Sequence, residues 1–211
     1  MVALLLIAVC TGSSIICSCS DEDENKPEEV VVIVNENGTT SNGSIFSAID
    51  DKNYYIDYIK YTVVAGHLVV SRYDAGGFKG VAKIISRLTY KGNTHEVLAI
   101  GNPAFEGCEV LTSITIPNSV IGIGHRAFSG CTSLTSVTIG NSVTTIESNA
   151  FEECSSLTDV YCMAENVPST KSHVFYDTPI SSATLHVPAG SVNAYKTTSP
   201  WSDFGTIVAI E

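Results

Sequence analysis

Residues 97–165 read VLAIGNPAFEGCEVLTSITIPNS (97–119), VIGIGHRAFSGCTSLTSVTIGNS (120–142) and VTTIESNAFEECSSLTDVYCMAE (143–165), which are three variants of one 23-residue pattern. Every copy has Val, Ile, Ala-Phe, Cys and Leu at the same places, followed by an alternating apolar run. In the first copy these positions include Val97, Ile100, Phe105, Cys108 and Leu111. Because so many apolar or small positions recur in register, the period predicts a solenoid of stacked repeats.

The alternating run in each copy predicts a short β-strand. In the first copy Ile114 and Ile116 would share one face, and Thr115 would point away from it. One copy is too short to bury its own apolar face, so successive copies should stack, with strands pairing in parallel about 4.8 Å apart. The repeated Phe residues would then form one aromatic column inside the opposite wall: Phe105, Phe128 and Phe151.

Two phrases, IGNPAFEGCEVLTSITIPNSV (100–120) and IGIGHRAFSGCTSLTSVTIGNSV (121–143), resemble the leucine-rich repeats of BspA-like bacterial surface proteins. They differ from the commoner repeat L-x-x-L-x-L-x-x-N, since Ser119 and Ser142 stand where that pattern has Asn. The Ala-Phe and Cys positions replace it, so the resemblance does not imply an Asn ladder.

The resemblance implies a β-rich leucine-rich-repeat solenoid of parallel strands, with about four 23-residue turns over residues 97–188. The fourth turn is degenerate, because Phe175 follows Phe151 by 24 residues. We expect a β-rich N-terminal cap at 44–96, with a hairpin of 58–64 and 68–70 and another strand within 81–90. A C-terminal cap is expected at 189–211. There Ser191 would cap a short helix, and further apolar residues would fold over the last coil: Trp201, Phe204, Ile207, Val208 and Ile210.

The N-terminus has the layout of a secretory signal, an apolar run that is too short and interrupted for a membrane span. No Lys or Arg precedes this run, which is consistent with a start further upstream. The segment 1–19 resembles a lipoprotein signal with a lipobox, in which Cys19 is the lipidated residue and Cys17 the alternative. Residues 20–43, rich in acidic, Asn, Gly and Ser residues, would form a flexible tether, with a strand at 30–34. The acidic run after Cys19 resembles a signal for export to the outer face of the outer membrane.

Composition and motifs indicate binding rather than catalysis. The net charge of −11 argues against nucleic acid as a partner. The chain has no motif of a nucleophilic hydrolase, a zinc protease or a phosphate loop, and its five His residues have no partner at metal-ligand spacing. We therefore predict no enzyme activity, no cofactor and no metal.

The Cys residues at one repeat position allow three interpretations. Cys108, Cys131 and Cys154 would lie above one another on adjacent turns, within disulfide reach. Parallel side chains are poorly oriented for a bridge, so we favour buried thiols that act as small apolar residues. A site of stacked thiolates for a metal is the third reading.

The outward strand positions form a small polar face, which repeat proteins commonly use to recognise partners. The predicted binding face consists of Thr112, Ser113, Thr115, Thr135, Ser136, Thr138, Thr158, Asp159 and Tyr161. The resemblance implies adhesion to a host or bacterial surface protein, for example fibronectin, by a protein that is held to the membrane only by its lipid anchor. The alternatives are a glycan- or nutrient-capturing lipoprotein, for which Tyr54, Tyr55, Tyr161 and Tyr176 are the aromatic candidates, and a purely structural surface component.

Overall fold

A computed structural model of the chain describes residues 30–35, 39–73 and 80–210. The first half of this region contains β1 (Val31–Ile33), β2 (Phe46–Ala48), β3 (Asn53–Ile56), β4 (Ile59–Val64), β5 (His67–Tyr73), β6 (Val81–Lys83), β7 (Arg87–Tyr90) and β8 (Asn93–Ile100). The second half contains β9 (Ser113–Ile116), β10 (Gly122–Ile123), β11 (Ser136–Ile139), β12 (Thr145–Ile146), β13 (Asp159–Cys162), β14 (Ser169–Thr170), β15 (Thr184–Val187), the helix α1 (Val192–Lys196) and β16 (Thr206–Ala209).

One sheet consists of six strands in the order β16-β15-β13-β11-β9-β6, and all its pairs are parallel. Ser113, Ser136 and Asp159 are register partners, as the 23-residue period requires. The inward side chains alternate with outward ones along each strand. The predicted parallel solenoid is therefore confirmed, although the six strands extend beyond the four predicted turns.

The second sheet joins the repeats to the N-terminal cap. Its strand order is β14-β12-β10-β8-β5-β4-β3-β2, and β7 pairs with β8 beside this path. Pairs from β14 to β5 are parallel, whereas pairs from β5 to β2 are antiparallel. The predicted hairpin is present as β4 and β5, and its turn residues Ala65 and Gly66 have φ of 51° and 85°, as a tight hairpin turn requires.

The repeated Phe residues form the predicted column. Phe105, Phe128 and Phe151 are at most 1% exposed. Their ring centroids lie 5.3 and 5.1 Å apart, with interplanar angles of 15° and 10°. Tyr73 continues the stack at one end, and Phe175 at the other. The column, together with the inward side chains of both sheets, forms one continuous core.

The N-terminal cap differs from expectation in two places. Residues 31–33, placed in the tether by sequence, pair in parallel with β7, and Val32 is fully buried. Residues 31–34 therefore pair within the cap rather than lying in a flexible tether. The segment 81–90 is also not one strand. It divides into β6 and β7, which belong to different sheets, because Ile84 and Ile85 between them turn into the core.

The C-terminal segment also differs from expectation. Ser191 precedes α1 but does not cap it with its side chain, because its hydroxyl donates to the Glu165 carbonyl at 2.6 Å. Trp201 and Phe204 close the aromatic column through edge-on contacts with Phe175, as predicted. Val208 is 37% exposed rather than folded inward, since its strand β16 extends the parallel sheet by one further strand.

Candidate functional site

The outward face of the six-stranded sheet is built from two rows of side chains, because equivalent residues of successive strands are register partners. The first row contains Val81, Ser113, Ser136, Asp159, Thr184 and Thr206. The second row contains Lys83, Thr115, Thr138, Tyr161, His186 and Val208. Six of the nine predicted face residues thus lie together on this surface, which we call the strand face.

The other three predicted residues lie at the entrance to the strands and have a structural role there. Thr135 donates its hydroxyl to the Thr112 carbonyl at 3.0 Å, and Thr158 donates to the Thr135 carbonyl at 3.1 Å. Thr112 likewise donates to the carbonyl of Gly80 at 2.9 Å. These hydroxyls link each turn to the preceding one, so they are already engaged within the chain.

The most chemically distinctive part of the strand face is a cluster of Asp159, Tyr161 and His186. His186 Nε2 lies 3.1 Å from Asp159 Oδ1. The imidazole also stacks on the Tyr161 ring, with centroids 4.2 Å apart and planes at 9°. Both of these hydrogen-bonded side chains remain accessible, at 21% for His186 and 39% for Asp159. The cluster therefore presents a carboxylate, an imidazole and a phenol that are fixed by one another.

His186 is a member of this site that its sequence position did not predict. His186 is 27 residues from Asp159, so the exact period does not connect them. A weaker signal was present, since Leu185-His186-Val187 repeats the pattern of Ile114-Thr115-Ile116 and places His186 in the Thr115 row. The sheet register confirms this alignment, because His186 is the partner of Tyr161.

The stacked cysteines are free thiols, and they are buried, as predicted from the sequence. They are also hydrogen-bond donors, which the sequence did not reveal. Cys131 Sγ donates to the Phe105 carbonyl at 3.2 Å, and Cys154 Sγ donates to the Phe128 carbonyl at 3.3 Å. Burial raises the pKa of Cys154 to about 12, so this thiol is protonated at neutral pH.

Thr178 takes the place of Cys in the degenerate fourth turn. Its hydroxyl donates to the Phe151 carbonyl at 2.6 Å and accepts the Cys154 amide at 3.1 Å. The position therefore calls for a small side chain with a donor, which satisfies the carbonyl of the stacked aromatic residue one turn earlier.

Asn residues also connect two turns of the repeats. They stand one residue before the position that Asn has in the commoner leucine-rich repeat. Asn118 Oδ1 accepts the Asn141 backbone amide at 2.9 Å, which connects two successive turns. Ser119, at the position of the usual Asn, instead donates to the Ser86 carbonyl at 3.4 Å.

Within residues 30–35, 39–73 and 80–210, no group of three His, Cys, Asp or Glu side chains could hold a metal ion. In the same region, no helix is long and apolar enough to cross a membrane. The predicted lipidation positions, Cys19 and Cys17, lie outside the described residues.

The chain belongs to the BspA type leucine-rich repeat family. The family model, described as "BspA type Leucine rich repeat region", matches residues 85–196 in six copies, which is just over half of the chain. Four strands of the six-stranded sheet lie within this range: β9, β11, β13 and β15. A search of curated proteins gives no match.

Two solved structures show the same fold. A leucine-rich repeat protein from Bacteroides capillosus ATCC 29799 is 25% identical, with a TM-score of 0.59 over 66% of this chain and 100% of that one. A leucine rich cell surface protein from Faecalibacterium prausnitzii A2-165 is 24% identical, with a TM-score of 0.51. This second match covers 78% of the present chain but 44% of the other protein, which is therefore much longer.

Proposed function

We propose that this chain is a lipid-anchored protein of the bacterial cell surface that binds a partner protein through its strand face and catalyses no reaction. Family membership supports a leucine-rich repeat binding protein. The observation that carries the proposal is the Asp159, Tyr161 and His186 cluster. It lies on a face whose other central positions are Ser and Thr, and aromatic side chains are enriched in the parts of interfaces that contribute most binding energy.

The strand face is smaller than a standard protein interface, so a partner would also contact the residues around it. A standard protein interface buries about 800 Å² on each partner, and six adjacent strands of about 4.8 Å spacing extend over roughly 25 Å. The cluster lies on β13 and β15, with β16 as the neighbouring edge. A partner centred on Tyr161 would therefore contact both rows and reach the edge strand.

The binding proposal is tested by making the cluster resemble the rest of its row. The double variant Tyr161→Thr with His186→Thr copies Thr115 and Thr138, so the strand preference of the sheet is kept. We expect binding of the full chain to immobilised fibronectin to fall at least tenfold. Tyr176→Thr is the matched control, because Tyr176 is 52% exposed and lies outside the strand face. Equal losses in the double variant and in Tyr176→Thr would contradict the proposal, and no fibronectin binding by the wild type would exclude fibronectin as the partner.

The anchor is tested separately. Cys19→Ser should release the protein into the medium, and Cys17→Ser should leave it attached to the outer membrane. Release by Cys17→Ser alone would assign the anchor to Cys17. Membrane retention of the double variant would refute a lipid anchor at this segment.

The two alternatives receive different support. Glycan capture called for a cluster of exposed aromatic residues, and the four candidates do not form one. Tyr54 is buried against Phe46 and Tyr90, while Tyr161 and Tyr176 pair with His186 and His173. Tyr55 is the one of the four that lines a cleft between the cap and the first repeat. A purely structural role predicts that the wild type does not bind fibronectin or any other partner protein.

A further inference from the structure

A second surface belongs to the other sheet, on the face of β4 and β5 that points away from the core. A cleft of about 740 Å³ opens between β5 and the first repeat, and its lining includes Tyr55, Arg72, Pro103 and Glu106. This volume is within the range of 300–1,000 Å³ that is usual for ligand sites. The Tyr73 amide donates to the Ala104 carbonyl at 3.1 Å, which fixes the two walls relative to each other.

Arg72 lines this cleft, and a second cation, Lys60, is its partner on the neighbouring strand. In the sheet register, Lys60 stands between Tyr55 and Arg72, because Tyr55 pairs with Lys60 and Lys60 pairs with Arg72. Cβ atoms of directly opposite residues lie about 4.5–5.5 Å apart, so the three side chains form one row. Neither Lys60 nor Arg72 has an ion-pair partner among the described residues. Two adjacent unpaired cations stand out in a chain with a net charge of −11.

A β-bulge turns Arg72 toward this face. The register between β4 and β5 shifts after Lys60, so that Ser71 is an extra residue opposite the pairs of Lys60 and Tyr61. Ser71 and Arg72 then point to the same side, and Ser71 Oγ lies 2.9 Å from Thr62 Oγ1 on that side. In a regular strand, neighbouring residues point to opposite faces, and bulges commonly redirect a side chain at a functional site.

The carboxylates near the row are engaged elsewhere. Glu106 on the opposite wall is paired with Arg126 at 3.3 Å. Asp50 accepts the Lys52 amide at 2.7 Å and the Asn53 amide at 2.8 Å, and the hydrogen bond from Lys52 is the main reason why its pKa is lowered. The charge of Lys60 also contributes to the lowered pKa of Asp50, so Arg72 is the cation whose charge is left for an external anion.

We propose that the row of Tyr55, Lys60 and Arg72 binds an anionic glycan in this cleft. The Arg72 guanidinium would hold a carboxylate or sulfate group by two hydrogen bonds, and Lys60 would add a second cation. The half-buried Tyr55 ring would contact the apolar face of a sugar, which an acidic peptide does not offer. This site does not depend on the strand face, so either proposal can fail without the other.

Calorimetry on the full chain with four probes tests this proposal. The probes are a hyaluronate hexasaccharide for carboxylates, a heparin-derived hexasaccharide for sulfates, a neutral maltohexaose and a hexaglutamate peptide. We expect at least one anionic hexasaccharide to bind, and the better of the two identifies the anionic group. We expect maltohexaose not to bind, and hexaglutamate to bind at least tenfold more weakly than that saccharide.

The variants separate this site from general attraction of charge. Arg72→Gln should weaken saccharide binding at least tenfold, Arg72→Lys less, and Tyr55→Leu should weaken saccharide binding without changing that of hexaglutamate. Lys171→Gln is the matched control, since it removes an exposed charge beside β14 at the opposite edge of the same sheet. The proposal is overturned by no binding of either anionic saccharide, by equal effects of Arg72→Gln and Lys171→Gln, or by hexaglutamate binding as tightly as the saccharides.

Discussion

The two ends of the larger sheet differ in strand direction and in how their buried side chains pack. From β8 to β14 the strands are parallel, and each turn places the same residue types above those of the turn before. From β5 to β2 the strands are antiparallel, and unlike aromatic residues fill the core, as where Phe46 and Tyr54 meet Tyr90 at tilted or edge-on angles. A stack of identical side chains needs an identical backbone path in every turn, whereas a cap only has to close the end of that stack.

The glycines show the same contrast. In the repeats a Cβ on Gly140 would overlap the Pro117 carbonyl oxygen of the preceding turn, so Gly is required by close approach of two backbones. In the cap Gly66 has φ of 85° and open space around its Cα, so Gly is required by the conformation of the turn. Four experiments separate these two ways of building the sheet.

The largest expected effect comes from removing one ring of the column. Phe128 is fully buried between Phe105 and Phe151, so Phe128→Ala should destabilise the fold by about 3–5 kcal/mol. Phe46→Ala, at a half-buried position of the cap, should cost about 1–2 kcal/mol. Urea unfolding followed by Trp201 fluorescence measures both. Equal losses would show that the column contributes no more than ordinary burial.

The second prediction concerns the two glycines, Gly140 in the repeats and Gly66 in the cap, and compares their replacement by larger residues. Gly140→Ala should cost about 1–3 kcal/mol, because two neighbouring turns must separate. Gly140→Asn should be worse, since Asn is larger. Gly66→Asn should be nearly neutral, within about 0.5 kcal/mol, because Asn tolerates the left-handed conformation. Thermal unfolding of the three variants and the wild type checks this order. An equal loss of stability from Gly66→Asn and Gly140→Asn would contradict it.

The third prediction concerns the Cys position of the repeat. It distinguishes a need for a hydrogen-bond donor from a need for a side chain of a certain volume. Thr178→Val keeps the shape but leaves the Phe151 carbonyl and the Cys154 amide without a partner, so it should cost about 1–3 kcal/mol. Thr178→Cys restores the residue of the earlier turns and should cost less. Chemical denaturation of both variants measures the difference. Equal stability of Thr178→Val and Thr178→Cys would show that the side chain at this position contributes through packing and not through its hydrogen bonds.

The smallest expected effect is on the reactivity of the thiols, which distinguish the repeats from the cap. The described cysteines all lie in the repeats, and burial raises their pKa values. The protonated thiol is the form favoured in the fold. Its stabilising contribution is therefore complete below the ordinary pKa of a thiol, about 8.5, and for Cys154 it is lost as the pH rises toward about 12.

At pH 8.5 iodoacetamide should therefore leave these four cysteines unmodified in the native protein and alkylate all of them in urea. Peptide mass spectrometry reports each position separately, so the N-terminal cysteines do not interfere. Modification of Cys131 or Cys154 at the rate of an exposed thiol would contradict their burial.

The sequence predicted the repeats well because each position there has neighbours of its own kind. The stack of Phe105, Phe128 and Phe151 and the inward Ile and Val residues followed from spacing alone. The cap was predicted less well, because β1 pairs with β7 across more than 50 residues and no local pattern announces that partner. The second cap error, one strand in place of β6 and β7, arose because a continuous run of strand-forming residues does not reveal a change of sheet.

The sequence by itself determined the period, the parallel stacking and the identity of the core, because these depend on residue types that recur at fixed distances. Only the tertiary structure decided which polar residues meet. His186 reaches Asp159 and Tyr161 through sheet register, and Arg72 joins Lys60 and Tyr55 through a bulge. Both candidate sites arise where the chain departs from strict repetition, and there the contacts are set by how distant segments pair rather than by any local pattern.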